Sequence, residues 1–177
     1  MKIALILCDG FEDIEALGTK DILNRAGIEV TLFGETEIVR TSHNTRILSD
    51  ELISDKILTY DAIILPGGLP GAINIKNNNN IIKYLQKMNN EGKLIAAICA
   101  APLVLKHADV LLNKKATIYP DDEFINLLGV NYLNEPLIVD RNIITAAGPA
   151  VTFNFAFAIL EYFNIDYTDI KKGMLFE

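Results

Sequence analysis

One cysteine near the middle of the chain lies in a sequence that is typical of a nucleophile elbow. The apolar run 94–98 leads directly into Cys99, which is followed by two alanines and Pro102. The run predicts a buried strand and Pro102 predicts the first turn of a helix, so Cys99 is expected between them. Backbone N–H groups and a positive helix-dipole end at such a position favour a thiolate. The alternative is that Cys99 packs in the core as a small hydrophobic residue.

A carboxyl group near the start of the chain is the second candidate for chemistry. Glu12, Asp13 and Glu15 follow the first predicted strand, so they are expected at the same edge of a parallel sheet as Cys99. Only Glu15 is flanked on both sides by apolar residues, which predicts that it is partly buried. Burial disfavours a charged carboxylate, and a protonated Glu15 can donate a hydrogen bond to sulfur and carry a proton. The alternative is that all three acids only complement the dipole of the first helix.

Glycine-containing turns follow two further predicted strands. Gly67 and Gly68 come directly after one apolar run, and Gly148 and Pro149 come shortly after another. Glycine lets the backbone approach a ligand closely and exposes N–H groups, which an oxyanion site requires. The first segment is equally compatible with a plain turn, and the second is a weak signal by itself. No Gly-Lys-Ser/Thr sequence follows, so a phosphate-binding P-loop is excluded.

Alternating apolar runs and helical patterns predict the elements that hold these residues. Strands are predicted over residues 2–7, 29–33, 62–65, 94–98, 116–118, 137–139 and 143–146. Helices are predicted over residues 14–26, 81–88, 151–163 and 167–176, and residues 39–58 form either a small hairpin or an irregular crossover. The asparagine run 77–80 predicts a polar loop that supplies an N-cap. Near-continuous apolar strands are typical of a parallel sheet covered on both faces, so a doubly wound α/β sandwich is expected.

Size and composition limit the classes of protein. The chain has 177 residues and a net charge of −7, and we expect a single domain over residues 1–177. Nucleic acid is not an expected partner because clusters of lysine and arginine are missing, and no apolar run is long enough to cross a bilayer. Two cysteines without a recognisable export signal predict a cytoplasmic location. The two histidines lack the spacing of a metal site, so no metal is expected.

Taken together and in this order, the motifs resemble the ThiJ/PfpI superfamily and, within it, the branch of the parkinsonism-associated deglycase. The resemblance covers nearly the whole chain. Its motifs are residues 10–15 (Gly-Phe-Glu-Asp-Ile-Glu), 25–27 (Arg-Ala-Gly), 61–68 (Asp-Ala-Ile-Ile-Leu-Pro-Gly-Gly), 96–102 (Ala-Ala-Ile-Cys-Ala-Ala-Pro) and 148–149 (Gly-Pro). The resemblance implies a flavodoxin-like fold, with a mostly parallel central sheet and helices on both faces, and usually a homodimer.

The resemblance also implies roles for individual residues. It implies that Cys99 is the reactive cysteine, that Glu15 is hydrogen-bonded to it, and that the N–H groups of Gly68 and Ala100 form the oxyanion site. The residues expected to line the substrate pocket are Gly67, Tyr119, Gly148 and Pro149. Tyr119 stands where many members of the branch have a histidine, and a phenol is a poor base near neutral pH.

The resemblance implies two functions of different classes. The first is a cofactor-independent glyoxalase or deglycase that acts on small α-oxoaldehydes such as methylglyoxal, or on their adducts. The alternative is a redox-sensing or chaperone-like protein that works through oxidation of Cys99, with Cys8 as a further candidate for a resolving thiol. Peptidase activity is not expected, because Ala100 follows Cys99 where the protease-like branch has a histidine.

Overall fold

A seven-stranded sheet is the centre of the fold in this computed structural model, which describes residues 1–176. The strands of the protein are β1 (Lys2–Leu7), β2 (Glu29–Gly34), β3 (Ile38–Arg40), β4 (Arg46–Leu48), β5 (Glu51–Leu52), β6 (Ala62–Leu65), β7 (Leu94–Ile98), β8 (Leu137–Asp140) and β9 (Ile143–Ala146). The helices are α1 (Asp13–Arg25), α2 (Gly71–Asn77), α3 (Asn79–Asn90), α4 (Pro102–His107), α5 (Asp122–Leu128), α6 (Thr152–Tyr162) and α7 (Thr168–Gly173). Short 3₁₀ helices cover Asp55–Thr59, Gly129–Asn131 and Pro149–Val151.

The sheet is parallel except at one edge. Its strand order is β5-β2-β1-β6-β7-β9-β8, and only the β8–β9 pair is antiparallel. The remaining two strands, β3 and β4, form a separate antiparallel hairpin. In this topology the carboxyl ends of β1, β6 and β7 lie side by side at one edge of the sheet, where ligands bind in doubly wound folds.

The core lies in two layers because successive side chains of each strand point to opposite faces of the sheet. In β1, Ala4 and Ile6 pack against the buried residues of α2, α3 and α4. Ile3, Leu5 and Leu7 pack on the opposite face against α1 and α6. Helices therefore cover both faces, which confirms the predicted α/β sandwich with its mostly parallel sheet.

Most predicted elements are confirmed, and one predicted strand is wrong. Strands β1, β6, β7 and β9 have the predicted bounds. Residues 116–118 do not form a strand, and only Ala116 makes an isolated bridge, to Tyr132. The reason is that both edges of β7 and of β9 are already paired within the sheet, which leaves no partner for another strand there.

The polar parts of the chain contain more helix than the sequence pattern predicts. Helices α2 and α5 are absent from the prediction. The asparagine run is not a loop, because Asn77 ends α2 and residues 79 and 80 already belong to α3. Its capping role is confirmed, since Asn78 Oδ1 accepts hydrogen bonds from the N–H groups of Asn80 and Ile81. Among the helices of residues 1–176, none combines the length and apolar character needed to cross a membrane.

Candidate active site

Cys99 lies in a strained turn between β7 and α4. Its φ angle is 60°, a left-handed conformation that costs a non-glycine residue about 1–2 kcal/mol. Two backbone hydrogen bonds hold the turn: Cys99 N–H donates to Ala146 O over 2.8 Å, and Cys99 O accepts from Tyr119 N–H over 2.9 Å. Strain of this kind is typical of a nucleophile elbow, so the predicted position of Cys99 is confirmed.

Glycines bring the loops after β1 and β6 against this elbow. A Cβ atom on Gly67 would lie 2.7 Å from Cys99 Cβ, which no real side chain tolerates. Gly68 has a φ of +84°, and a Cβ atom there would lie 2.5 Å from Gly10 O. Glu12 N–H also donates to Gly67 O over 3.1 Å. The three loops therefore form one closely packed backbone unit beside the sulfur.

Replacing Gly68 by alanine is expected to destabilise the protein strongly. Gly68→Ala combines left-handed strain with a backbone clash, and the expected loss is about 3 kcal/mol or more of unfolding free energy. Urea unfolding followed by circular dichroism measures it. Gly92→Ala is the matched control, because Gly92 has a φ of +69° but no atom within 4 Å of the added Cβ. The control is expected to lose only about 1 kcal/mol. Equal losses of unfolding free energy in the two variants would show that the close backbone approach at Gly68 does not affect stability.

Glu15 is buried behind the cysteine and keeps one oxygen free. The residue is fully buried, and Oε2 accepts a hydrogen bond from Gly67 N–H over 2.7 Å. Among residues 1–176, Oε1 has no hydrogen-bond partner. Burial raises the pKa of Glu15 to about 7, against the lowering effects of the Gly67 N–H and the Cys99 thiol. Glu15 therefore changes its charge near neutral pH.

The surroundings of Cys99 disfavour its thiolate form. Burial raises the pKa of Cys99 to about 12, and the negative charge of Glu15 adds to the increase. The N–H groups of Gly68 and Ala100 lower this pKa, in the direction expected of an oxyanion site. Their effect is the smaller one, so burial and the charge of Glu15 oppose the thiolate that the elbow favours.

A cavity of about 380 Å³ opens at the elbow. It is lined by Gly68, Leu69, Cys99, Ala100, Tyr119, Asp121, Glu123 and Phe124. Three predicted pocket residues lie outside this lining. The N–H group of Gly67 instead donates a hydrogen bond to Glu15. Gly148 lies behind Tyr119, because a Cβ atom there would contact the phenol ring at 3.5 Å. Pro149 begins the 3₁₀ helix that follows.

Sequence reasoning missed the outer wall of the cavity. Asp121, Glu123 and Phe124 come from α5 and its N-cap, where Asp121 Oδ1 accepts a hydrogen bond from Glu123 N–H over 2.9 Å. The signal was present, because an acidic run followed by an apolar residue is typical of a helix start. Both carboxylates give this wall a negative charge.

Comparisons with known proteins show the family of this chain. The model of the DJ-1/PfpI family matches residues 1–162. The chain belongs to the DJ-1/PfpI family. Protein dj-1beta of Drosophila melanogaster is 37% identical over 97% of this chain and 95% of its own length. The glutathione-independent glyoxalase DJR-1.2 of Caenorhabditis elegans is 35% identical over 90% of this chain and 88% of its own length. Oxidized Toxoplasma gondii DJ-1 superposes with a TM-score of 0.92 and 32% identity, covering 99% of this chain and 98% of the other.

The second cysteine of this DJ-1/PfpI protein is sealed in the core. Cys8 is fully buried. Burial raises its pKa well above the usual range for a thiol, and the charge of Glu35 adds to the increase. The position does not favour the role of a resolving thiol, since such a thiol must be reachable and able to ionise.

One group of side chains near α1 has ligand atoms close enough together for a cation. These atoms of Glu12, Asp13 and His43 all lie within 4.8 Å of one another. His43 Nδ1 lies 3.1 Å from Asp13 Oδ2, and Ser42 Oγ donates to Glu12 Oε2 over 3.0 Å. The contacts within the group account for its geometry, and the absence of a metal stays a prediction.

Proposed function

We propose that the protein converts small α-oxoaldehydes such as methylglyoxal into hydroxy acids, using Cys99 as the nucleophile and Glu15 as the acid and base. The supporting observation is the free, buried Oε1 of Glu15 beside a strained cysteine that lines a cavity. The family relationship to a C. elegans protein named as a glyoxalase supports the same reaction. Each step is an addition, a proton transfer or a hydrolysis, so the chemistry needs no cofactor.

The first step forms a bond between sulfur and the aldehyde carbon. Because the thiol keeps its proton at rest, Glu15 accepts that proton as the sulfur attacks. The carbonyl oxygen becomes an alkoxide, which the N–H groups of Gly68 and Ala100 stabilise. Glu15 then returns the proton to this oxygen, and the product is a neutral hemithioacetal on Cys99.

The second half of the reaction moves a proton between two carbons. Ionised Glu15 removes the hydrogen of the former aldehyde carbon, which gives an enediolate, and then protonates the neighbouring carbon. The proton of the hemithioacetal hydroxyl passes to the adjacent oxygen, so the first carbon becomes a carbonyl and the second carries the hydroxyl. The result is a lactoyl thioester on Cys99. Water cleaves this thioester, which releases lactic acid and restores the thiol. Methylglyoxal and one water thus give one lactic acid, with no net oxidation.

The cavity lining favours neutral substrates over anions. Asp121 and Glu123 supply two carboxylates, and the lining contains no lysine, arginine or histidine. An anionic aldehyde such as glyoxylate meets like charges there. The Tyr119 hydroxyl and the Phe124 ring supply a polar and an apolar contact for an uncharged dicarbonyl.

A glutathione-free assay tests the proposal. Purified protein and methylglyoxal are incubated without added thiol, and lactate is measured enzymatically together with the loss of methylglyoxal. Catalytic turnover, with many lactate molecules formed for each protein chain, is the expected result. Loss of methylglyoxal that stops after one molecule per cysteine and releases no lactate would contradict the proposal.

The second candidate function is redox sensing through Cys99. The N–H groups of Gly68 and Ala100 and a protonated Glu15 are three donors that suit a sulfinate. A thiol and two molecules of hydrogen peroxide give a sulfinic acid and two of water. The related Toxoplasma protein is described as oxidized, and that description applies to that protein.

Mild peroxide is expected to add two oxygen atoms to Cys99 and none to Cys8. Cys8 is sealed in the core, whereas Cys99 lines the cavity. Intact-mass spectrometry with peptide mapping measures the difference. In Glu15→Gln the Cys99 product is expected to change, because the carboxyl donor is replaced. Equal oxidation of both cysteines would count against a sensing role.

We infer that a second copy of the chain covers an apolar face on α1 and α6. Ile14, Leu17 and Phe153 are exposed there to 55%, 37% and 38%. Gly18 lets the two helices pack closely, because a Cβ atom on it would lie 3.1 Å from Thr152 Cγ2 on α6. The homodimer implied by the family resemblance supports a self-association of this face.

Leu17→Glu is expected to convert a dimer into a monomer. The substitution places a charge at the centre of the apolar face, where it would be buried without a partner. Light scattering coupled to gel filtration distinguishes 19.6 kDa from twice that mass. Leu127→Glu is the control, since Leu127 is similarly exposed but lies on α5. A wild-type monomer, or a dimer that survives Leu17→Glu, would contradict this interface.

A further inference from the structure

A second cavity, of about 750 Å³, lies near the amino-terminal end of β7, whereas Cys99 follows the carboxyl end of that strand. It is lined by Lys106 in the last turn of α4, by residues of the following segment 109–115, and by Val130 and Asn131. One of its lining residues, Lys114, donates a hydrogen bond to Asn142 Oδ1 over 2.9 Å. Asn142 O in turn accepts from Ile95 N–H at the start of β7. We call this second site the lysine cavity.

The lysine cavity is basic in an acidic protein. The whole chain carries a net charge of −7, but the charged residues of the lining are three lysines and Asp109. Lys106 Nζ donates to Asn131 Oδ1 over 2.6 Å, and Lys115 Nζ donates to Val130 O over 2.9 Å. Because Val130 and Asn131 are adjacent, the two ammonium groups converge on one wall.

Lys114 adds a buried ammonium group that is held by neutral amides instead of a salt bridge. The residue is 7% exposed, and its partners are the neutral amide oxygens of Asn89 and Asn142, at 2.6 and 2.9 Å. No carboxylate within residues 1–176 forms a salt bridge with it. Burial lowers the pKa of Lys114 and the positive charge of Arg141 lowers it further, while the negative charge of Asp140 acts in the opposite direction. A bound anion would offset both lowering effects.

The same cavity also presents apolar side chains to solvent. Leu112 is 76% exposed and Val130 is 87% exposed, and both line the cavity. Exposed aliphatic side chains beside ammonium groups suit a ligand with a charged end and a hydrocarbon part. An inorganic anion would satisfy only the first of these features.

We propose that the lysine cavity binds a small organic carboxylate that carries an apolar chain. The carboxylate contacts Lys106 and Lys115, and the chain covers Leu112 and Val130. The site is separate from the Cys99 cavity, so it does not depend on the proposed reaction.

Hexanoate is the probe for this site. Titration of ¹⁵N-labelled wild-type protein is expected to give saturable amide shifts at residues 106–115 and 130–131, with no shifts at Cys99. Hexanol, which lacks the charge, and inorganic phosphate, which lacks the chain, are each expected to bind at least about fivefold more weakly. A tenfold rise in salt concentration is expected to weaken hexanoate binding by about threefold or more. The proposal is overturned by absence of saturable shifts up to about 20 mM hexanoate, or by equal binding of hexanol.

Variants that remove either positive or negative charges from the lysine cavity provide a second test. The double variant Lys106→Gln/Lys115→Gln is expected to lose about tenfold in hexanoate affinity, because it removes both ammonium groups that contact the carboxylate. Asp109→Asn removes the one lining carboxylate and is expected to raise the affinity by about twofold. Lys83→Gln/Lys87→Gln is the matched control, with the same change of charge at two exposed sites on α3. An equal loss in the control would mean that net charge alone attracts the anion, and it would overturn the site.

Discussion

Cys99→Ser is expected to reduce the conversion of methylglyoxal to lactate by at least about a thousandfold. A serine hydroxyl keeps the size and hydrogen bonding of the elbow, but it is a far weaker nucleophile toward a carbonyl carbon at neutral pH. The covalent hemithioacetal therefore does not form. Steady-state kcat/KM from the glutathione-free lactate assay measures the effect.

Cys8→Ala is the matched control for Cys99→Ser, because it removes the other thiol of the chain. Cys8 is fully buried in the core, so its loss is expected to lower stability slightly and to leave kcat/KM within about threefold. Equal rates of lactate formation in wild type and Cys99→Ser would remove Cys99 from the mechanism. Mass spectrometry of a trapped adduct on Cys99, absent in the serine variant, provides a second readout.

Glu15→Gln is expected to lower kcat/KM at a pH of about 7.5 by a factor of about 10² to 10³. Glutamine fits the same space and still accepts the Gly67 N–H, but it cannot take the proton from the thiol or move protons between carbons. In wild type, kcat/KM is expected to rise with pH through about 7, because Glu15 must be ionised to act as a base. The rise at this pH is expected to disappear in Glu15→Gln. A wild-type profile retained in the variant would assign the titration to another group.

The same substitution is expected to raise stability at neutral pH. The folded-state pKa of Glu15 is raised from 4.5 to about 7, so the folded protein binds the proton more tightly than the unfolded chain does. This contribution to stability is complete below pH 4.5 and is lost as pH rises through about 7. Glutamine does not titrate. The unfolding free energy of Glu15→Gln, relative to that of wild type, is therefore expected to be about 3 kcal/mol higher at a pH of about 8 than at a pH of about 4. Urea unfolding of both proteins at the two pH values measures this difference. If the difference between variant and wild type were the same at both pH values, ionisation of Glu15 would not destabilise the folded protein.

Elements that form from a local residue pattern are predictable from the sequence. Elements that need a free neighbouring strand to pair with are not. Strand β7 was predicted with its observed bounds because its residues are apolar throughout and Gly92 precedes it. Residues 116–118 carry the same local pattern, but the neighbouring strands β7 and β9 are already paired on both sides. Helix α5 was missed because it is short and mostly polar, although it supplies the outer wall of the cavity.

The sequence by itself determined which candidate groups meet at one sheet edge and in what order: Cys99 after β7, Glu15 after β1 and Gly68 after β6. It could do so because parallel strands bring their carboxyl ends together, and strand ends are readable from local patterns. Only the tertiary structure decided which of these groups holds a proton. Glu15 and Gly67 are 52 residues apart in the chain, and the depth at which folding buries the carboxyl and the thiol sets both pKa values. The lysine cavity also depends on folding, because the amide oxygens that hold Lys114 belong to Asn89 and Asn142, which are 25 and 28 residues away in the chain.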